Sequence, residues 1–211
     1  MTKPLSYLAD RQLIETVIWS VQRNDELSGT GDGRIWQAEL APPLWIADVT
    51  LAPMYSDDAE AAAALIRALD GSREPFLLYN PVRRYPRKDV GGQAINSAAV
   101  KIGSIASDRR SLSLTDLPAG YALSVGDKIQ MPHGDGLNMF VEASADAVAN
   151  ADGVTTQFSV FPRIKSGVVV GGAAILVNPA CKMIVYPNSH NPGTAKAGIT
   201  TGATFKAVEK R

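Results

Sequence analysis

The sequence predicts a mainly β protein with one short helix: a β-sandwich-like domain into which a smaller β-barrel or sandwich is inserted. Three observations carry this expectation. Eighteen Gly and thirteen Pro are spread along 211 residues, which fits many short strands joined by turns. Apolar and polar residues alternate with period two in most segments, and only the stretch from 56 to 69 has helical spacing. A chain of this length buries roughly 70% of its extended surface, enough for one large β domain or two small ones.

The opening residues MTKPLSYLADRQ contain no apolar core of signal-peptide length, and no run approaches the roughly 20 apolar residues of a membrane span. A soluble protein made in the cytoplasm is expected. In residues 11–22, Leu13, Glu15, Val17, Trp19 and Val21 alternate with Ile14, Thr16, Ile18 and Ser20. The β-branched content favours strand over helix. Residues 24–33 read as a turn-rich loop carrying GTGDG, and 34–40 as a strand with Trp36, Ala38 and Leu40 facing inward. Pro42-Pro43 marks a corner. Beyond it, Trp45, Ala47, Val49 and Leu51 share one strand face, with Asp48 and Thr50 on the other.

The helix is expected at about 57–70. Ser56, Asp57 and Asp58 offer side-chain oxygens to the orphan amides, and Asp57 with Glu60 has capping-box spacing. Ala62, Leu65, Ile66 and Leu69 form one apolar stripe, while the alanines at 61–64 leave a thin side for close approach. Gly71 stands where a left-handed residue ends a helix, Pro75 forbids continuation, and Phe76 to Tyr79 resumes as strand.

Residues 80–94, NPVRRYPRKDVGGQA, read as an exposed crossing between two structural units. Short strands then follow at 100–107, 111–117, 127–132, 137–144, 155–161 and 173–177, with turns at His133-Gly134-Asp135-Gly136 and Asp152-Gly153. Cys181 to Tyr186 is a further strand, 187–202 a flexible link, and 203–209 a last alternating segment. If these last strands return to the first unit, the domains are 1–94 with 179–211, and an insertion at 95–178.

Chemistry is thinly represented. Twenty-one basic and twenty-one acidic residues cancel, so net charge points to no nucleic-acid partner. The lone Cys181 excludes an internal disulfide and sits in the apolar run CKMIVY, as a buried structural thiol would. His133 with Asp135 lacks a third metal ligand, and His190 lies in a loop. No G-x-S-x-G elbow occurs, and GTGDG lacks the Lys-Ser/Thr and the helix of a phosphate loop. No catalytic residue, cofactor or metal is therefore expected. Trp19, Trp36 and Trp45 fall on apolar strand faces, where core packing outweighs a sugar site. The one concentration of charge is Arg83, Arg84, Arg87 and Lys88. It reads either as a solvated linker or as a contact with an acidic neighbouring subunit or passing DNA; Tyr85 and Pro86 between them make no base-stacking platform.

The order of features resembles the distal tail proteins of long-tailed bacteriophages and their relatives in prophages and gene transfer agents. The residues that carry the resemblance are IWQAELAPPLWIADVTLAPM before the short helix, then LDGSREPFLLYNP, the junction VGGQAIN, the β module with LPAGYALSVGDKIQM, and NPACKMIVYP leading out of it. It spans nearly the whole chain. The resemblance implies a non-enzymatic virion component at the tail tip. Its first ninety or so residues and C-terminal strands would form a β-rich ring domain, closing six-fold to join the tail tube to the baseplate hub. The inserted module would face outward, where some family members bind carbohydrate or anchor receptor-binding proteins. Arg83, Arg84, Arg87 and Lys88 would then be inter-subunit contacts or line the lumen. The alternatives are a carbohydrate-binding β module of a tail tip, or another minor tail or hub protein.

Overall fold

The computed structural model describes residues 1–11, 14–29, 31–95 and 98–211, and is mainly β with one α-helix among them. After a 3-10 turn at Leu5–Tyr7 come β1 (Ile14–Gly29), β2 (Ile35–Leu51), β3 (Met54–Tyr55), α1 (Ser56–Ala68) and β4 (Phe76–Leu78). The middle of the chain supplies β5 (Lys101–Ile105), β6 (Ser111–Thr115), β7 (Ala122–Leu123), β8 (Lys128–His133), β9 (Leu137–Ala143), β10 (Ala147–Val148) and β11 (Phe158–Phe161). The end supplies β12 (Cys181–Val185), β13 (Thr194–Lys196), β14 (Ile199–Thr201) and β15 (Thr204–Glu209). Leu13, Thr30 of the GTGDG turn and Asn96 of VGGQAIN lie outside the described residues.

The first sheet has the order β1-β2-β15-β12-β4, every neighbouring pair antiparallel. Its buried face is the alternating set expected from the sequence: Trp45, Ala47, Val49 and Leu51 from β2, joined by Phe205 and Ala207, Met183 and Val185, and Phe76 and Leu78. Helix α1 covers this face. Ala62, Ile66 and Leu69 are buried as the stripe predicts, with Ala59 and Ala63 beside them; Leu65 is half-buried. Asp70 and Gly71 both take left-handed backbone, which turns the chain out of the helix where the glycine signalled it.

The expectations for the helix start, for residues 187–202 and for Pro42-Pro43 are corrected. First, no side chain caps the helix start. The Ser56 amide instead donates to the Gly198 carbonyl at 3.0 Å, so a residue distant in sequence satisfies it. Asp57 and Asp58 still sit in the first turn, where acids suit the helix dipole. Second, 187–202 is not a free link: β13 and β14 form a hairpin, and β14 pairs with β3 beside that same helix start. Third, Pro42-Pro43 does not end a strand. β2 runs through it for 17 residues, and the pairing with β1 shifts register between Gln22 and Asp25, so the prolines sit at a bulge.

The second sheet, β5-β6-β11-β9-β8, curls into a half-barrel around Ile102, Leu112, Leu114, Ile129, Met131, Met139 and Val141. The apolar run at 173–177 is not a regular strand. It bridges the two open edges, Ala173 to Lys101 on β5 and Ile175 to Gln130 on β8, and so draws the sheet edges together. β7 and β10 add a two-stranded flap. The turn at Asp152-Gly153 forms as expected, and Gly153 is required there. Its φ is +73°, and an added Cβ would lie 2.2 Å from the Leu117 carbonyl oxygen. Gly153→Ala is expected to lower stability by about 2 kcal/mol through left-handed strain and overlap with backbone, checked by urea unfolding.

An aromatic cluster joins half-barrel to first sheet. Trp45 packs edge-on to Trp19 at 6.1 Å, Phe140 at 5.7 Å and Phe161 at 6.0 Å between ring centroids. Its indole N–H donates to the Phe140 carbonyl at 3.0 Å. Next to it the buried Glu209 carboxylate accepts from the Trp45 amide at 3.2 Å and from Lys165 Nζ at 3.3 Å.

Candidate functional site

Two exposed surfaces among the described residues combine apolar and charged side chains, the outer β1–β2 ribbon and the 80–94 crossing. β15 pairs with β2 only from Ile46 to Thr50. Further out, β2 has β1 as its one partner, down to Gly29 opposite Ile35. The outer ribbon is therefore a two-stranded arm. A second apolar alternation runs along it in Trp36, Ala38 and Leu40, on the face opposite to that of Trp45 and Val49, and nothing covers it: Trp36 is 64% exposed and Leu40 69%. The inward-facing strand expected at 34–40 is corrected to an exposed one. The reason is the face: pairing with Ser28 and Glu26 sets Trp36 and Ala38 on the side of the ribbon away from Trp45 and Val49, and β15 pairs with β2 only as far out as Ile46.

Residues opposite one another on paired strands share a face. Ser28 lies opposite Trp36 and Glu26 opposite Ala38, so one face of the arm carries Trp36, Ala38 and Leu40 with a single acid. The other face carries Leu27 and Ile35 near the tip, and Asp25 opposite Glu39. Two carboxylates opposed in this way repel. Asp25 is held by Arg23 at 2.8 Å and by the Gln37 amide, and Asp32 by Arg34 at 3.2 Å. Glu26 and Glu39 make no ion pair among the described residues.

The 80–94 crossing presents Arg83, Arg84, Arg87 and Lys88 to solvent, flanked by Val82 at 71% and Val90 at 90% exposure. It is not loose. The Arg84 carbonyl accepts from the Asn178 amide at 2.7 Å, and the Arg87 amide donates to Asp127 at 2.9 Å. Asp89 is buried and accepts from the amides of Ala94 and Ile95 and from the Tyr121 hydroxyl. The four cations differ in what they hold. The Arg84 guanidinium donates to the Tyr79 hydroxyl at 2.8 Å and lies over that ring, while Tyr79 donates to Asp10 at 3.0 Å. Burial and the bond to Asp10 raise the Tyr79 pKa, against the pull of Arg84. Arg83, Arg87 and Lys88 make no side-chain ion pair among the described residues. Reversing Arg84 would therefore disturb its own chain, whereas Arg83 and Arg87 can be reversed without breaking a bond.

The remaining candidates do not converge. His133 is half-buried in its hairpin, with Nδ1 3.3 Å from the Met131 carbonyl, and Asp135 is exposed in the turn. His190 is half-buried rather than solvated; burial, then the Arg67 charge, lower its pKa. Among the described residues no three His, Cys, Asp or Glu side chains lie together as a metal cluster. Cys181 is buried in β12, and burial, reinforced by the Glu209 charge, pushes its thiol well up and leaves it unreactive. Trp19 and Trp45 pack in one cluster while Trp36 stands on the arm, so the three rings form no common groove. No helix among the described residues is long and apolar enough to cross a membrane.

The chain matches no protein-family model and no curated protein. The arm's exposed face was the feature sequence reasoning missed. Its available signal was the GTGDG turn itself: two long period-two segments closing on a tight turn, with no third strand of comparable length to cover them.

Proposed function

We propose that this chain is a structural virion component, a distal tail protein whose copies close into a ring joining the tail tube to the baseplate hub. One observation carries the reading beyond the order of sequence features: the β1–β2 arm. A two-stranded ribbon in water is marginally stable, and one with Trp36, Leu40, Leu27 and Ile35 exposed gains stability by lying on another protein. A closed ring uses head-to-tail interfaces, so each copy offers two different surfaces. The arm and the basic crossing are two such surfaces. The balanced net charge also avoids accumulating repulsion among many copies. In this reading the first sheet and α1 are the ring frame, and the half-barrel stands outward for neighbouring tail proteins. The chain acts at the virion tail tip, with the tail tube and hub proteins as partners and without catalysis.

The carbohydrate-module alternative has less support, because two of the three tryptophans are committed to packing. Electron microscopy of the protein mixed with its tail-tube and hub proteins tests the proposal. Closed rings of fixed copy number are expected; a chain that remains monomeric beside both partners overturns it.

A further inference from the structure

The arm and the crossing complement each other in two independent respects, and this deepens the ring reading, on which it rests. In charge, the arm carries Asp25, Glu26, Asp32 and Glu39 against Arg23 and Arg34, while the crossing carries three cations whose side chains make no ion pair among the described residues. In polarity pattern, Glu26 sits within an apolar stripe, and Arg83, Arg87 and Lys88 sit between the exposed Val82 and Val90. We propose that the arm of one copy docks on the 82–90 crossing of a second copy, with Trp36 and Leu40 covering Val82 and Val90 and with Glu26, on the same face, meeting the free cations.

The occupant follows from these features. A partner of any composition would cover apolar side chains, but the unpaired Glu26 within the stripe asks for a surface that is both cationic and apolar. The 82–90 crossing is such a surface, already fixed in shape. The Asp89 carboxylate and the Arg87–Asp127 bond hold the crossing in place before any partner arrives, so docking does not have to order it. Because the arm and the crossing are different patches, the contact is head-to-tail and propagates until it closes.

The experiment uses the full chain, with mass photometry for self-association and urea unfolding for the fold. Trp36→Ala is expected to weaken association by about 30-fold or more, as for a central aromatic anchor. The pair Arg83→Glu with Arg87→Glu is expected to do the same while leaving the unfolding midpoint of the monomer in place. Combining that pair with Glu26→Lys, on the docking face, is expected to recover association. Crosslinking supplies a second readout, clean because the native thiol of Cys181 is buried. Leu40→Cys with Val82→Cys in one chain yields a ladder of linked copies, whereas a mixture of the two single variants stops at dimers. Association unchanged in both the Trp36 and the arginine variants overturns the proposal. So does an arm that crosslinks only to the tail-tube or hub protein. Rings that survive all these variants sink this interface and leave the ring reading standing; absence of any ring with tail partners, alongside arm-to-crossing ladders, sinks the tail reading and leaves the interface.

Discussion

Replacing Trp45 by alanine is expected to lower the unfolding free energy by about 3–5 kcal/mol, the range for a large buried aromatic. The residue is 3% exposed and sits where the first sheet, the half-barrel and the C-terminal strand meet. Three losses combine. The cavity forfeits contacts with Trp19, Phe140 and Phe161. The carbonyl of Phe140, a residue 2% exposed, loses its donor. The Lys128 ammonium, 4.3 Å from the ring centroid, loses the π face beneath it. Urea unfolding of the variant is the check, and a second consequence follows from position. Because the cluster joins the two sheets, its loss is expected to broaden the transition or split it. Trp36→Ala is the control from the same strand: with its ring in solvent, it is expected to change monomer stability by no more than about 0.5 kcal/mol. Equal costs for the two tryptophans would mean that the arm is packed and not free.

That contrast shows what period-two alternation reports. It identified the buried face of β2 at Trp45, Ala47, Val49 and Leu51, and the same rule extended outward named Trp36, Ala38 and Leu40 as inward. Alternation measures whether a strand is amphipathic; it does not say which body covers the apolar side, and on the arm that body is absent from the chain's own fold. The strands of the half-barrel were legible for the opposite reason, since Gly and Asp turns bound each one and its apolar residues close on one another. The helix stripe was legible because packing obeys local spacing, but its cap was not. The Gly198 carbonyl that takes the place of a capping side chain arrives from a hairpin far along the sequence. That hairpin, in turn, is polar and held by pairing with β3 more than by burial, so its composition reads as a link. The candidate surface follows the same division. The cations of the crossing were visible as composition, whereas their difference, Arg84 bonded to Tyr79 and its neighbours free, is tertiary.

Asp89 is the other place where a tertiary fact overrides a turn-like sequence, and Asp89→Asn is expected to lower stability at neutral pH by roughly 2–4 kcal/mol. In DVGGQA the residue reads as solvated, yet it is 6% exposed. One carboxylate oxygen accepts from the Ala94 amide at 3.0 Å, and the other from the Ile95 amide at 2.9 Å and the Tyr121 hydroxyl at 3.2 Å. Asparagine presents a donor where one of these donors already points, leaving buried groups unpaired at about 1–3 kcal/mol each. Burial alone would raise the Asp89 pKa, but the amides of Ala94 and Ile95 and the Tyr121 hydroxyl outweigh it and hold the carboxyl below its ordinary value. The same pair raises the Tyr121 pKa, by burial first and by the Asp89 charge second. The sign of the pH effect follows. A carboxyl that is more acidic folded than unfolded contributes fully above the unfolded pKa of about 4 and loses that contribution as pH falls through its lowered folded value. The deficit of Asp89→Asn relative to the native chain is therefore expected to be largest near pH 7 and to shrink toward pH 3, measured by urea unfolding at each pH. A deficit equal at both values would show that the carboxylate charge does not fix the crossing. Because that crossing presents Arg83, Arg87 and Lys88, the same variant is expected to weaken self-association at pH 7 without removing a single cation.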